Sequence, residues 1–257
     1  MGAHVLYFTT RYRVLIDAGY NNDKRKSPLT LTQIRDWNFK VENIFLEILK
    51  RKTGQIIANG IYSSGYPIIV TPLRLGPKIC NAETKGPGRM QGGDIYVQVS
   101  FTPDASCHVD PQTRDFKPGG TPTETLFHEL VHAFRIVTEK ASDREGPFTN
   151  PFVPKSHPGS YPEFDVEEDF FAVLITNIFS SETGRPLRKD HGPPEALPSQ
   201  LSTNKGFLAI EPYARLVRQF CIDHPSVSQE LRDVPSAFNP IKEVLIGQGF
   251  QHLLNAR

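Results

Sequence analysis

Hydrophobic and polar residues alternate most regularly at residues 94–102. The sequence DIYVQVSFT places an apolar side chain at every second position, which is the period of a β-strand with one buried face. Residues 4–17, rich in Val, Leu, Tyr, Phe and Thr, predict another strand, and residues 55–72 predict two short strands around Ser63-Ser64-Gly65. Residues 74–93 contain many Gly and Pro residues and therefore predict a loop.

Apolar residues recur at steps of three and four elsewhere, which is the spacing of helices with one buried face. The first predicted helix starts at Ser27-Pro28 and runs to about Lys52. Two more are predicted at Pro122–Lys140 and Val166–Ser181, followed by a Pro-rich loop at 185–204 and three short helices from Phe207 onward. Strands thus dominate the first half and helices the second, which predicts an α+β fold with a small mixed sheet.

The length of 257 residues fits a single domain, residues 1–257. We expect residues 1–120 to supply mainly strands and one long helix. Residues 121–191 would supply the helices of a candidate site, and residues 192–257 a helical C-terminal part. No apolar run approaches the roughly 18 residues of a membrane span.

Charge, cysteine content and the first residues narrow the expected partners, disulfide content and location of the protein. The 29 basic and 28 acidic residues give a net charge of +1, so no nucleic acid or anionic membrane is expected as a partner. Three cysteines, Cys80, Cys107 and Cys221, do not form a disulfide framework and predict buried or inert thiols. The first residues lack the features of a Sec signal, so we expect a cytoplasmic protein or one exported without a cleaved signal.

One motif carries chemistry: His128, Glu129 and His132 form H-E-x-x-H within TPTETLFHELVHAFR. Thr121 as N-cap, Pro122 in the first turn and a Glu three residues after the cap predict a helix start with a capping box. Residues four apart lie on one face of a helix, so both imidazoles can reach one Zn²⁺ ion. Glu129, about 100° around the helix, can then act as the base for a metal-bound water. The alternatives are two surface histidines with a solvated Glu, or a degenerate site without metal.

These residues resemble the zincin metallopeptidases that use glutamate as the third ligand, and most closely the NleD-type effector peptidases that bacteria inject into host cells. The matching segments are GGDIYVQVSFTP, LFHELVHAFR, EEDFFAV and SSETGRPLRKDH, within residues 92–191. The resemblance implies a zincin-like fold and a zinc endopeptidase that acts on a protein substrate. The kinases cut by NleD-type effectors do not follow from these motifs.

A catalytic zinc site needs a third protein ligand. Zincins of this type place a glutamate on a second helix, and the run Glu167-Glu168-Asp169 before Phe-Phe-Ala looks like that pattern. We favour Glu168 because its longer side chain can reach across two helices, with Asp169 as the alternative. Glu168 would also complete a capping box with Asp165, which is a purely structural interpretation.

Three further residues are candidates for holding the transition state: Tyr161, His157 and His191. Zincins give this oxyanion-binding role to Tyr or His, although each of the three also fits an ordinary loop residue. By the same analogy, residues 94–102 would be an edge strand that binds the substrate as an added strand, or otherwise a plain core strand. Two other functions remain open: a binding module that no longer cuts, and a zinc hydrolase of a non-peptide amide.

Overall fold

The computed structural model describes residues 7–9, 12–19, 29–73, 82–89, 95–104, 108–140, 145–148, 164–191 and 195–247. Their strands are β1 (Tyr7–Thr9), β2 (Val14–Ile16), β3 (Ile68–Pro72), β4 (Ala82–Arg89), β5 (Ile95–Phe101), β6 (Glu145–Phe148) and β7 (Phe164–Val166). Their helices are α1 (Leu31–Leu49), α2 (Lys52–Ser64), α3 (Pro122–Val137), α4 (Glu167–Glu182), α5 (Asn204–Leu208), α6 (Glu211–Asp223), α7 (Pro225–Arg232) and α8 (Pro240–Ile246). This is the predicted α+β fold, with a small mixed sheet and a helical C-terminal part.

The main sheet has the strand order β1-β2-β3-β5-β4. β2, β3 and β5 run parallel, while β1 and β4 pair antiparallel with their neighbours. The single strand predicted at residues 4–17 is therefore two strands, and the turn between them contains Arg13 at φ 55°. β6 and β7 form a separate two-stranded sheet.

β4 corrects the prediction of a loop across residues 74–93. The segment AETKGPGR pairs with β5, and the register shifts between Lys85 and Gly88. Gly and Pro are tolerated in such a strand because β4 lies at the end of the strand order and its pairing is interrupted there. Residues 74–81 and 90–93 lie outside the described residues.

α2 corrects the first of the two strands predicted within residues 55–72. Its β-branched isoleucines favour a strand locally, but its N-terminus is capped from a distant part of the chain. The Glu182 carboxylate accepts hydrogen bonds from the backbone N–H groups of Lys52 (2.7 Å) and Thr53 (3.0 Å) and from the Thr53 hydroxyl (2.6 Å). Gly65, at φ 81°, ends the helix in the left-handed conformation that glycine tolerates best.

α1 starts later than predicted. Thr30 is its N-cap and forms a capping box with Gln33, while Ser27 and Pro28 lie outside the described residues. Its buried face includes Val41, Phe45 and Ile48, at the spacing expected for one side of a helix.

α3 and α4 confirm the two helices predicted around the motif. They pack against each other with the rings of Phe127 and Phe179 stacked at 4.4 Å. Every residue of α4 from Phe170 to Ser180 is buried, as expected for a helix that is largely apolar on all sides. It lies between α3 and the C-terminal helices, since Phe171 also contacts Phe220 of α6.

Candidate metal centre

The start of α3 is anchored to the elements around it. Thr121 and Glu124 form the predicted capping box, with the Thr121 side chain accepting from the Glu124 N–H. The buried Glu124 carboxylate also accepts from the Ser180 hydroxyl (2.7 Å) and from Arg185 Nε (3.1 Å). These bonds fix α3 against α4 and thereby fix the direction in which the motif residues project.

The two motif histidines point their Nε2 atoms at each other. His128 Nε2 and His132 Nε2 are 3.1 Å apart, and the two rings are inclined at 82°. Two nitrogens bound tetrahedrally to one zinc at 2.0–2.1 Å would be about 3.3 Å apart. The observed separation is therefore close to that of two ligands on one ion.

The other ring nitrogens determine the tautomers that we assign to these histidines. The Thr176 hydroxyl donates to the Ala172 carbonyl (2.7 Å), so its oxygen can accept from His128 Nδ1 at 3.4 Å. His132 Nδ1 lies 3.3 Å from Oε1 of Glu168, which accepts from it. Both histidines then carry the proton on Nδ1, and both Nε2 lone pairs face each other.

Two facing lone pairs repel unless a proton or a metal cation lies between them. Burial lowers the pKa of His128 well below its usual value, with the charge of His132 adding to the effect. Burial also lowers the pKa of His132, but the hydrogen bond that His132 donates to Glu168 and the charge of Glu129 outweigh it, so that pKa is raised. One proton or one metal ion between the two Nε2 atoms would relieve this repulsion.

His191 joins His128 and His132 in a group of three residues that could hold a metal ion. One nitrogen from each of His128, His132 and His191 lies within 4.8 Å of the others, a set that suits a metal ion. The His191 ring stacks on His128 with centroids 5.2 Å apart. His191 is the most exposed of the three, so this side of the site faces solvent. An open side is what a catalytic site needs for water and substrate.

Both predicted acidic ligands lie close to the histidines but outside this group. Glu168 contacts His132 at Nδ1, whereas His132 faces His128 through Nε2. Arg135 Nε donates to the second oxygen of Glu168 at 2.8 Å. Asp169 Oδ1 lies 3.7 Å from His191 Nε2. That either acid ligates a metal stays a prediction. That Glu168 caps the helix likewise stays a prediction.

Glu129 lies beside the pair and is held by the edge strand. Its carboxylate Oε2 is 2.7 Å from the Thr84 hydroxyl of β4, and its side chain is buried. Burial raises the pKa of Glu129, partly opposed by the charge of His132 and the hydrogen bond from Thr84. A carboxylate with a raised pKa accepts a proton more readily, which suits a general base.

The strand that borders the site is β4. β5, the strand predicted to bind substrate, is paired on both sides, with β3 and with β4. Its backbone groups are therefore used within the sheet, and the proposed shelf at residues 94–102 is wrong. Among the described strands, only β5 pairs with β4, which lies at the end of the strand order.

Arg188 positions the loop that carries His191. Its backbone N–H and carbonyl bond the Asn177 side chain of α4 at 2.7 and 2.8 Å, and its guanidinium donates to the His191 carbonyl at 2.8 Å. The Arg188 side chain also lies against Gly119, where a Cβ atom would come within 2.6 Å of it. The loop is thus tied to the same helix that carries Glu168.

Two predicted residues, His157 and Tyr161, lie outside the described residues. Sequence reasoning missed three that contact the site: Thr84, Arg135 and Thr176. Arg135 is the one that a sequence signal could have found, because it is a charged residue three positions after His132 and seven after His128, which places it on the helix face of the motif histidines.

Comparisons of the chain with protein-family models, with curated proteins and with solved structures found no match. In the part of the chain that the structure describes, no helix has the length and apolar character to cross a membrane. The functional inference therefore rests on the residues of the site and their geometry.

Proposed function

We propose that this protein is a zinc-dependent endopeptidase of the zincin type. The observation that carries the proposal is the pair of facing Nε2 atoms of His128 and His132, 3.1 Å apart, with the Glu129 carboxylate between them in sequence and buried beside them. Two histidines on one helix face, with a glutamate about 100° around the same helix, form the arrangement that the H-E-x-x-H motif predicts.

The donor set favours zinc. Three imidazoles are borderline-soft ligands, and a tetrahedral site with three protein ligands leaves one position for water. We assign His128, His132 and His191 as the ligands, because they are the three whose nitrogens come together. Glu168 then acts through His132, as a carboxylate that accepts the Nδ1 proton and so directs Nε2 toward the ion.

Glu129 is the general base in this proposal. Zinc, when bound at the histidines, supplies a Lewis acid that activates the carbonyl and the water. Glu129 accepts the proton of the attacking water and passes it to the leaving amine. Thr84 holds the carboxylate in one orientation for both transfers.

The outer edge of β4 is the proposed binding surface for the substrate backbone. A peptide that adds as a strand beside β4 would place its carbonyl groups near Glu129, because Thr84 of that strand contacts Glu129 directly. The position of β4 at the end of the strand order supports a peptide, which can add as a strand, over an isolated small amide, which cannot. A role as an effector delivered into host cells stays a prediction from the sequence resemblance.

The test is cleavage of a peptide library derived from a proteome by the zinc-loaded protein. Glu129→Gln preserves size and zinc binding but removes the base, so we expect turnover to fall by about 100-fold or more. His128→Ala should lose zinc and activity together. Wild-type cleavage by Glu129→Gln would refute the role of Glu129, and a zinc-loaded wild type without any cleavage would favour a binding module.

A further inference from the structure

Arg135 is a buried cation in the last turn of α3, three residues after His132. Its side chain is 1% exposed, and each of its three nitrogens has a defined acceptor. Nε donates to Glu168 Oε2 at 2.8 Å, Nη2 to the Lys140 carbonyl at 2.6 Å, and Nη1 to His224 Nε2 at 3.3 Å. The guanidinium carbon also lies 3.9 Å from the centre of the Phe171 ring.

Such a cation is costly to bury unless its partners are placed accurately. Replacing a buried ion pair by apolar residues of similar volume is often neutral or stabilising, so Arg135 is not explained by stability alone. Its direct effect is on Glu168, whose other oxygen contacts the metal-ligand histidine. Burial would raise the pKa of Glu168, but His132 and Arg135 lower it and keep the carboxylate ionised.

His224 holds Arg135 from the C-terminal part of the chain. It lies between α6 and α7, where its ring packs against Phe134 at 4.6 Å and Phe220 at 4.9 Å. An arginine only donates, so His224 must accept through Nε2 and stay neutral. This imidazole is a rigid acceptor that fixes the orientation of the guanidinium.

We propose that Arg135 and His224 are positioning residues for the metal ligand His132, acting through Glu168. The chain of contacts His224–Arg135–Glu168–His132 connects the helical C-terminal part to the metal centre. Arg135 orients the Glu168 carboxylate, and that carboxylate keeps the proton of His132 on Nδ1 and the Nε2 lone pair toward the ion. This inference rests on the proposed metal site.

His224 offers a matched pair of variants for the test, whereas replacing Arg135 itself leaves a buried carboxylate and endangers folding. His224→Gln keeps an acceptor near the position of Nε2 but removes the ring. His224→Phe keeps a ring between Phe134 and Phe220 but removes the acceptor. If His224 acts only by packing, His224→Phe should disturb zinc binding less than His224→Gln. If His224 acts by positioning Arg135, His224→Gln should disturb zinc binding less.

The first measurement is zinc affinity by chelator competition on the full chain, with the melting temperature of each zinc-free variant as the control for folding. We expect His224→Phe to weaken zinc binding by about 10-fold, with His224→Gln several-fold closer to wild type. Equal affinities in the two variants, or weaker binding in His224→Gln, would overturn the proposal.

The second measurement needs no metal. Nitrogen NMR of zinc-free protein at alkaline pH reports which ring nitrogen of His132 carries the proton. We expect Nδ1–H in the wild type and in His224→Gln, and a mixture of tautomers in His224→Phe. An unchanged tautomer in His224→Phe would contradict the positioning role, while a wild type that never binds zinc but shows this difference would contradict only the proposed function.

Discussion

The hydroxyl of Thr84 lies 2.7 Å from Oε2 of Glu129 and 3.1 Å from the Glu129 carbonyl. This contact joins the edge strand β4 to the residue that we propose as the general base. A substrate strand on β4 would therefore lie next to a base whose orientation the same strand controls.

Thr84→Val keeps the shape of the side chain and removes the hydroxyl, so the Glu129 carboxylate loses its fixed partner. We expect kcat to fall by about 10-fold, because a hydrogen bond to a charged group contributes about 1.5–3 kcal/mol. Thr84→Ser, which keeps the hydroxyl, should stay close to wild type. Zinc content should be unchanged in both, and equal kcat values for Val and Ser would refute the role of Thr84.

The histidine pair predicts one bound zinc per chain. The purified protein should contain zinc or take it up with one-to-one stoichiometry, as measured by elemental analysis and titration. His132→Ala removes one of the two facing Nε2 atoms and should abolish this uptake. Less than about 0.2 equivalents in chelator-free preparations, with no uptake on adding zinc, would contradict a zinc site.

The third ligand can be identified by four single variants. We expect His191→Ala to weaken zinc binding most, and Asp169→Ala to weaken it by about 10-fold or less, since Asp169 acts on His191 from 3.7 Å. Glu168→Ala should weaken binding about 10- to 100-fold through His132.

Glu168→Gln is the control that separates positioning from ligation. An amide oxygen can still accept the His132 Nδ1 proton, so a positioning role predicts tighter zinc binding in Gln than in Ala. An equal and complete loss of zinc binding in Glu168→Gln and Glu168→Ala would show that Glu168 is the third ligand. If Asp169→Ala is the variant that empties the site, the chain is closer to the zincins with an aspartate ligand.

His224 predicts a specific loss of stability in acid. Burial and the charges of Arg135 and Lys140 lower the pKa of His224 to about 3 in the folded protein. The unfolded chain, with an ordinary pKa near 6.5, binds a proton there between these two values. The contribution of His224 to the free energy of unfolding is therefore highest above about pH 6.5. The free energy of unfolding falls by up to about 1.4 kcal/mol for each pH unit between that value and about pH 3.

Urea unfolding of wild type and His224→Gln across this pH range measures the effect. Glutamine binds no proton, so its free energy of unfolding should fall less steeply than that of wild type. The carboxylates are the same in both proteins, so the difference in slope isolates His224. Parallel curves would show that His224 titrates normally in the folded protein.

Those parts of the fold that local sequence determines were predicted correctly. The strand β5, predicted from its alternating residues, and the capping box of α3 each depend on neighbouring residues, and both are present in the structure. The H-E-x-x-H spacing likewise fixes two imidazoles on one helix face. Helical geometry alone brings His128 and His132 together.

The errors arose where distant contacts override local preference. β4 is a strand because it pairs with β5, although its Gly-Pro-Gly sequence favours a turn. The surroundings of Glu168 depend on Arg135 of the preceding helix, and no pattern within the acidic triplet reveals which side of the His132 ring it meets. The position of His191 depends on a loop tied to Asn177, which a sequence pattern does not encode.

Because the Glu182 carboxylate caps α2, the N-terminus of this helix cannot be completed early in synthesis. Lys52 and Thr53 leave the ribosome about 130 residues before Glu182, which supplies the acceptors for their N–H groups. Until then the start of α2 has neither this acceptor nor a side-chain cap of its own. Loop closure over that distance is slow compared with local helix formation. The start of α2 therefore gains its hydrogen-bond acceptor only from the second half of the chain. A fragment that stops before residue 182 lacks the carboxylate that caps α2.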